Sequence, residues 1–159
     1  IQCIYFSMSE ENIKKKISLP WVSFCSDAGS YSNPSKGFRT HPRAFGSFIR
    51  VLGKYSRDEN LLSLEEAIRK LSGLPASNLG IIDRGLLKEK FFADIVVFDP
   101  NTVQDKATFD KPIQFAEGIE HVIVNGQAVI EDGEHTNLYP GKFVTGPGYK
   151  KAKNFDNYH

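Results

Sequence analysis

Cysteine is scarce in this chain: only Cys3 and Cys25 occur among 159 residues. Two are too few for a disulfide framework, and neither has the close partner or neighbouring histidine that a structural zinc site needs. Both stand in short apolar runs and read as buried free thiols. An excess of charge is missing as well. With 20 basic and 19 acidic residues the formal net charge is +1, so no overall field draws the molecule to nucleic acid or to an anionic membrane. The one basic run, Lys14-Lys15-Lys16, lies in a helical pattern and reads as a solvated face. No apolar run approaches the roughly 20 residues of a membrane helix, and no charged-then-apolar leader is visible. Neither nucleic acid nor a membrane is therefore expected as a partner, and the cytoplasm is the expected compartment. Histidines number four, His41, His121, His135 and His159, and no two are spaced as a metal pair on one element.

What is present divides by period. The chain opens with Ile1-Gln2-Cys3-Ile4-Tyr5-Phe6, an apolar run typical of a strand buried on both faces. Because it starts as though inside a strand, the chain is expected to be a segment of a longer protein. A helix start follows, with Ser9 as N-cap and Met8 and Ile13 as a hydrophobic staple, or else Ser7 as the cap with Glu10 three residues on. Ile13 and Ile17 share a face, and Pro20 stops the helix. Residues 21–25, Trp-Val-Ser-Phe-Cys, predict a second strand parallel to the first, making one βαβ unit.

A polar loop rich in Gly, Ser, Asn and Pro then runs over 30–40. Helical spacing resumes at Phe45, Phe48, Ile49, Leu52 and Tyr55. A further helix is bounded by a Ser63/Glu66 capping box and by Gly73 and Pro75 as its stop, with Leu64, Ala67, Ile68 and Leu71 as its buried face. Beyond about Leu79 the period is that of strands. Residues 91–98 predict a strand, Asp99-Pro100-Asn101 its turn, and 120–130 a hairpin bent at Asn125-Gly126, with Asp132-Gly133 as a further turn.

Asp27 is the sharpest candidate for chemistry, as the first ionisable residue beyond a strand expected to be parallel and buried, with a long loop after it. The plainer reading is an Asp whose carboxylate only turns the loop. At the far end of that loop stands His41-Pro42-Arg43. Arg43 offers a planar fork suited to a carboxylate, or serves as a surface ion-pair partner. His41 reads as a ligand, an orienting group or a structural loop residue.

These features together resemble the C-terminal third of the N-acyl-D-amino-acid deacylases, a branch of the amidohydrolase superfamily. The similar stretches are Thr40-His41-Pro42-Arg43-Ala44-Phe45-Gly46, Leu61-Leu62-Ser63-Leu64-Glu65-Glu66-Ala67 through Gly73-Leu74-Pro75-Ala76, and Asp83-Arg84-Gly85. Ala93-Asp94-Ile95-Val96-Val97-Phe98-Asp99-Pro100 and Val122-Ile123-Val124-Asn125-Gly126 continue the likeness. These last two motifs mark only the superfamily, whereas the Pro42-Arg43 loop points to the deacylase branch.

The resemblance implies an α/β fold: the last part of a (β/α)8 metal-dependent hydrolase barrel over 1–79, the C-terminal part of a small β-sandwich or barrel domain over 80–148, and a tail over 149–159. Residues 1–6 and 21–25 then look like the seventh and eighth barrel strands. It also implies a zinc-dependent hydrolase of N-acyl-D-amino acids, with Asp27 as the catalytic carboxylate and Arg43 and His41 at the substrate. Zinc would lower the pKa of a bound water, Asp27 would carry its proton to the leaving amine, and Arg43 would hold the substrate's carboxylate. The family often has Gly after this Asp, where Ala28 stands here. Its metal ligands lie upstream of Ile1, so this segment alone is expected to be inert and, with strand edges unpaired, to self-associate. The alternatives are a cyclic-amide hydrolase of the hydantoinase or dihydroorotase kind, against which Arg43 argues, and a non-catalytic β-domain module.

Overall fold

The computed structural model describes residues 5, 7–29 and 40–149. Most of the strand expected over 1–6, and with it Cys3, the loop 30–39 and residues 150–159 lie outside them. Ser9, in extended backbone, accepts a hydrogen bond from the Asn12 N–H at 3.2 Å and opens α1 (Glu10–Ser18), which decides between the two possible caps. Glu10 and Glu11 in its first turn and Lys15 and Lys16 in its last suit the helix dipole. Lys15 pairs with Glu11 on the outer face, Lys14 reaches across to Glu59 of another element, and Ile17 is buried. Leu19 leaves helical geometry ahead of Pro20.

The strand expected over 21–25 does not form. Residues 22–29 run as irregular chain, tied to another element by the Phe24 N–H donating to the Lys70 carbonyl at 3.4 Å. A strand exists only through a partner's ladder, and none of the described residues stands beside this one to supply it.

α2 (Arg43–Arg50) continues without a break into a π-helix over Val51–Asp58, which closes with the Glu59 N–H on the Lys54 carbonyl, a five-residue step of 2.9 Å. The wider turn carries Val51, Leu52, Tyr55 and Ser56 into the interior, whereas Phe48, one of the apolar residues at helical spacing, is 47% exposed. In α3 (Leu64–Leu71) the Ser63 hydroxyl accepts the Glu66 N–H at 3.2 Å. The other half of the expected capping box is absent, because the Glu66 carboxylate turns to Arg69 at 2.7 Å. The buried face is also rotated from the expected one: Ala67 is fully buried as foreseen, but Ile68 is 41% exposed and Lys70 takes the interior. The break falls at Ser72, at φ −129° and ψ −75°, and Gly73 does not end the helical region but opens α4 (Gly73–Asn78), with Pro75 in its first turn, where a missing N–H costs nothing.

The described strands form one antiparallel sheet in the order β1 (Ile95–Phe98), β2 (Ile119–Val124), β3 (Gln127–Glu131) and β4 (Glu134–His135). Asn125 and Gly126, at φ 49° and 80°, give the β2–β3 hairpin the positive-φ pair of a tight primed turn, and Asp132-Gly133 repeats it before β4 at φ 50° and 80°. A register shift between Val122 and Ile123 breaks strict alternation, so Val122 faces Ile130 while Val124 faces Gln127. β1 is shorter than the strand expected over 91–98. The chain at 92–94 is instead pinned: Arg84 pairs with Asp94 and donates to the Asn125 carboxamide at 2.6 Å, Asp94 accepts the Asn125 N–H at 2.8 Å, and the Arg84 guanidinium lies 4.1 Å from the centre of the Phe92 ring. Three separate sequence motifs thus meet in one structural knot.

Ile17, Val51, Leu52, Tyr55, Leu62, Ala67 and Val103 form the core, with Phe24, Phe98 and Ile119 packed against it, so the helices and the sheet's first two strands share one apolar interior. Burying an aliphatic side chain of this size contributes about 1.5–3 kcal/mol. No described helix is long and apolar enough to cross a membrane.

Candidate functional site

The irregular segment after α1 ends in a sharp local turn. Asp27 sits at φ 49°, a left-handed conformation that short polar side chains tolerate, and its N–H donates to Cys25 Sγ at 3.4 Å. Cys25 is exposed, contrary to the buried thiol expected of it. The Asp27 carboxylate, 85% exposed, meets the Arg43 guanidinium at 3.2 Å. The two ends of the loop 30–39 are therefore brought together, and a proton acceptor stands beside a carboxylate-gripping fork.

α2 sets the position of Arg43. Its N–H donates to His41 Nδ1 at 3.1 Å and its carbonyl accepts the Ser47 hydroxyl at 2.9 Å. Burial, with the positive charge of Arg43 added to it, holds His41 below the ordinary histidine range. The ring is then neutral at neutral pH, and because Nδ1 accepts, Nε2 carries its proton. Edge-on packing against Phe109, with ring centres 5.1 Å apart at 81°, fixes the imidazole from the other side. Further along α2, Arg50 grips the buried carboxylate of Asp105 at 3.0 Å, and Phe45 meets Phe115 at 5.9 Å. The segment from Asp105 to Phe115 thus backs the helix that carries Arg43.

Sequence reasoning missed that backing segment. Phe109 and Phe115 flank Lys111-Pro112 without any period, and only the aromatic residues themselves hinted at packing. Cys25 was the more legible omission, since a residue two positions before a turning Asp is within reach of its N–H.

Among the described residues no group of three or more His, Cys, Asp and Glu side chains stands close enough to hold a metal ion. The donors on hand do not fit a complete metal centre. The exposed Asp27 carboxylate, the Arg43 fork and the neutral His41 ring can take up and release a proton and can orient an anion.

Residues 12–130 match the model of the amidohydrolase family. An N-acyl-D-glutamate deacylase from Alcaligenes xylosoxydans xylosoxydans is 46% identical over 141 residues, which are 89% of this chain and 28% of that protein. The crystal structure of a D-aminoacylase, described as defining a novel subset of amidohydrolases, superposes with a TM-score of 0.81 at 41% identity, covering 88% of this chain and 28% of that one. An N-acyl-D-glutamate deacylase from Bordetella bronchiseptica, complexed with zinc and a phosphonate mimic of the tetrahedral intermediate, superposes with a TM-score of 0.71 at 42% identity over 79% of this chain and 25% of that one. The chain spans 28% of the length of the curated relative it matches.

Proposed function

Because this chain belongs to the amidohydrolase family, we propose that it is the C-terminal portion of a zinc-dependent enzyme that hydrolyses N-acyl-D-amino acids to a D-amino acid and a carboxylate. On this reading residues 1–79 close a (β/α)8 barrel and 80–148 complete a small β-domain. The observation that carries the proposal is the pairing of Asp27 with Arg43 across the ends of one loop at 3.2 Å.

Asp27 takes a proton from the attacking water as its oxygen bonds to the amide carbon, and gives it to the nitrogen as the C–N bond breaks, so the carboxylate ends as it began. Arg43 holds the α-carboxylate of the substrate with two parallel hydrogen bonds. His41, neutral, fixes the backbone of Arg43 through Nδ1. Zinc, which the Bordetella relative carries, would be held by donors beyond the described residues, and this segment alone is inactive.

The test compares N-acetyl-D-amino acids with their carboxamides on the full-length protein and on Arg43→Lys. Exchanging a fork for a point charge should raise KM for the acids about tenfold, with a smaller change in kcat. The carboxamides should be poor substrates of both proteins. Equal turnover of acid and amide by the wild type would leave Arg43 no carboxylate to hold, and the cyclic-amide reading would replace this one.

The isolated segment is also proposed to self-associate, supported by apolar side chains left in the open, such as Leu87 at 83% and Phe143 at 84% exposure. Light scattering should find species heavier than 17.8 kDa, and a sharp monomer would count against it.

A further inference from the structure

Lys70 is the one described lysine with no exposed surface. Burying an ammonium is costly unless its donors are met, and among the described residues no carboxylate lies within ion-pair distance of it. Its partners are carbonyls instead. The Nζ donates to the carbonyl of Ile17 in the last turn of α1 and, at 2.6 Å, to that of Leu19 just beyond. The Ile17 carbonyl is one that a helix end leaves without an intrahelical partner, at the negative pole of the dipole, whereas the Leu19 carbonyl also accepts the Val22 N–H at 3.2 Å. The Phe24 ring lies 5.7 Å away on another side. Desolvation pulls the ammonium below the ordinary lysine range, against the opposing charge of Glu66.

Lys70 does not act alone on this stretch. Its own carbonyl accepts the Phe24 N–H at 3.4 Å. Arg69, steadied by Glu66, donates to the Pro20 carbonyl at 2.6 Å. Two successive residues of α3 therefore grip the exit of α1, then Pro20, then Phe24. Three residues beyond Phe24 stands Asp27, in a segment that has no strand ladder among the described residues to hold it. Arg43, by contrast, is carried by α2, which none of these contacts touches.

We infer that Lys70 is a positioning residue: by capping α1 and clamping Phe24 it fixes the path of residues 20–27 and so places the carboxylate of Asp27. The clamp stands on contacts alone; its catalytic consequence rests on the deacylase reading. An error of position at the proton-transferring group lowers turnover more than binding, because the substrate's carboxylate is gripped from α2.

The experiment uses the full-length protein, with Lys70→Met to remove the ammonium while keeping an apolar stem, Lys70→Arg to keep the charge, and Lys15→Met as a surface control. Amide hydrogen exchange in peptides covering 20–27 should accelerate about fivefold or more in Lys70→Met and remain unchanged over 43–50. With N-acetyl-D-amino acids, kcat should fall about tenfold or more while KM stays within about twofold. Lys70→Arg should recover part of both effects, and it carries the comparison if Lys70→Met does not fold. Unchanged exchange over 20–27 would overturn the clamp. Faster exchange there with kcat intact, or a loss appearing equally in KM, would overturn the positioning role. If the wild type turns over no N-acyl-D-amino acid while exchange still responds, the deacylase reading fails and the clamp stands.

Discussion

Replacing Asp27 by Asn in the full-length protein should lower kcat on N-acyl-D-amino acids by about 10²–10⁴-fold, with KM little changed and the thermal midpoint preserved. At roughly 1.4 kcal/mol per decade, this is about 3–5 kcal/mol of lost transition-state stabilisation. The choice of Asn follows from the backbone. Asp27 holds φ at 49°, a conformation that Asn adopts readily and that costs Ala on the order of 1 kcal/mol. Asn also keeps an oxygen to accept the 3.2 Å contact from Arg43, so the turn survives and only the proton acceptor is lost. Asp27→Ala should lower kcat at least as far but adds strain, and its thermal midpoint should fall slightly. Steady-state kinetics on both variants decide the matter. If Asp27→Asn kept kcat within about threefold, Asp27 would be a turn residue and nothing more.

The turn and cap chemistry was legible in the sequence because it is local. Asn125-Gly126 and Asp132-Gly133 specify their own positive φ angles and Ser63 its helix start, whatever surrounds them, while the choice of Ser9 over Ser7 needed the Asn12 contact. What needs a distant partner was not. The face of α3 is chosen by the carbonyls of Ile17 and Leu19 at the exit of α1, which draw Lys70 inward and turn Ile68 out, and no helical period carries that information. The π-turn over Val51–Asp58 shifts the apolar face within a run whose spacing reads as ordinary α-helix. Residues 21–25 have the composition of a strand, yet composition cannot supply the neighbour that makes one. For the site, the two ends of the loop were readable as positions of Asp27 and Arg43. Their direct pairing and the ring of Phe109 against His41 were not, because contacts between remote segments leave no local pattern.

The largest expected effect on stability comes from one methyl group. Gly118, at φ 77°, lies so close to the buried Val103 that a Cβ built there would sit 2.6 Å from both the Val103 N and Cα and 2.8 Å from the Thr102 carbonyl carbon. All three are backbone atoms, which no side-chain rotation can move aside. They also belong to a tightly held turn: Asp99 accepts the Val103 N–H at 2.9 Å and donates its own N–H to the Gly118 carbonyl at 3.0 Å. Relief of the clash would have to displace Val103, 1% exposed and part of the core that joins the helices to the sheet. Gly118→Ala should therefore cost about 3 kcal/mol or more, combining the positive-φ penalty with overpacking against backbone. Gly126→Ala isolates the first of these. Its φ is 80°, but nothing lies within 4 Å of the added methyl, so the expected cost is only about 1 kcal/mol. Urea denaturation of the full-length variants, followed by a probe in this region, reads both. Equal destabilisation by the two substitutions would mean that Val103 yields freely, and that the close approach of Gly118 is not what binds the two halves of the core.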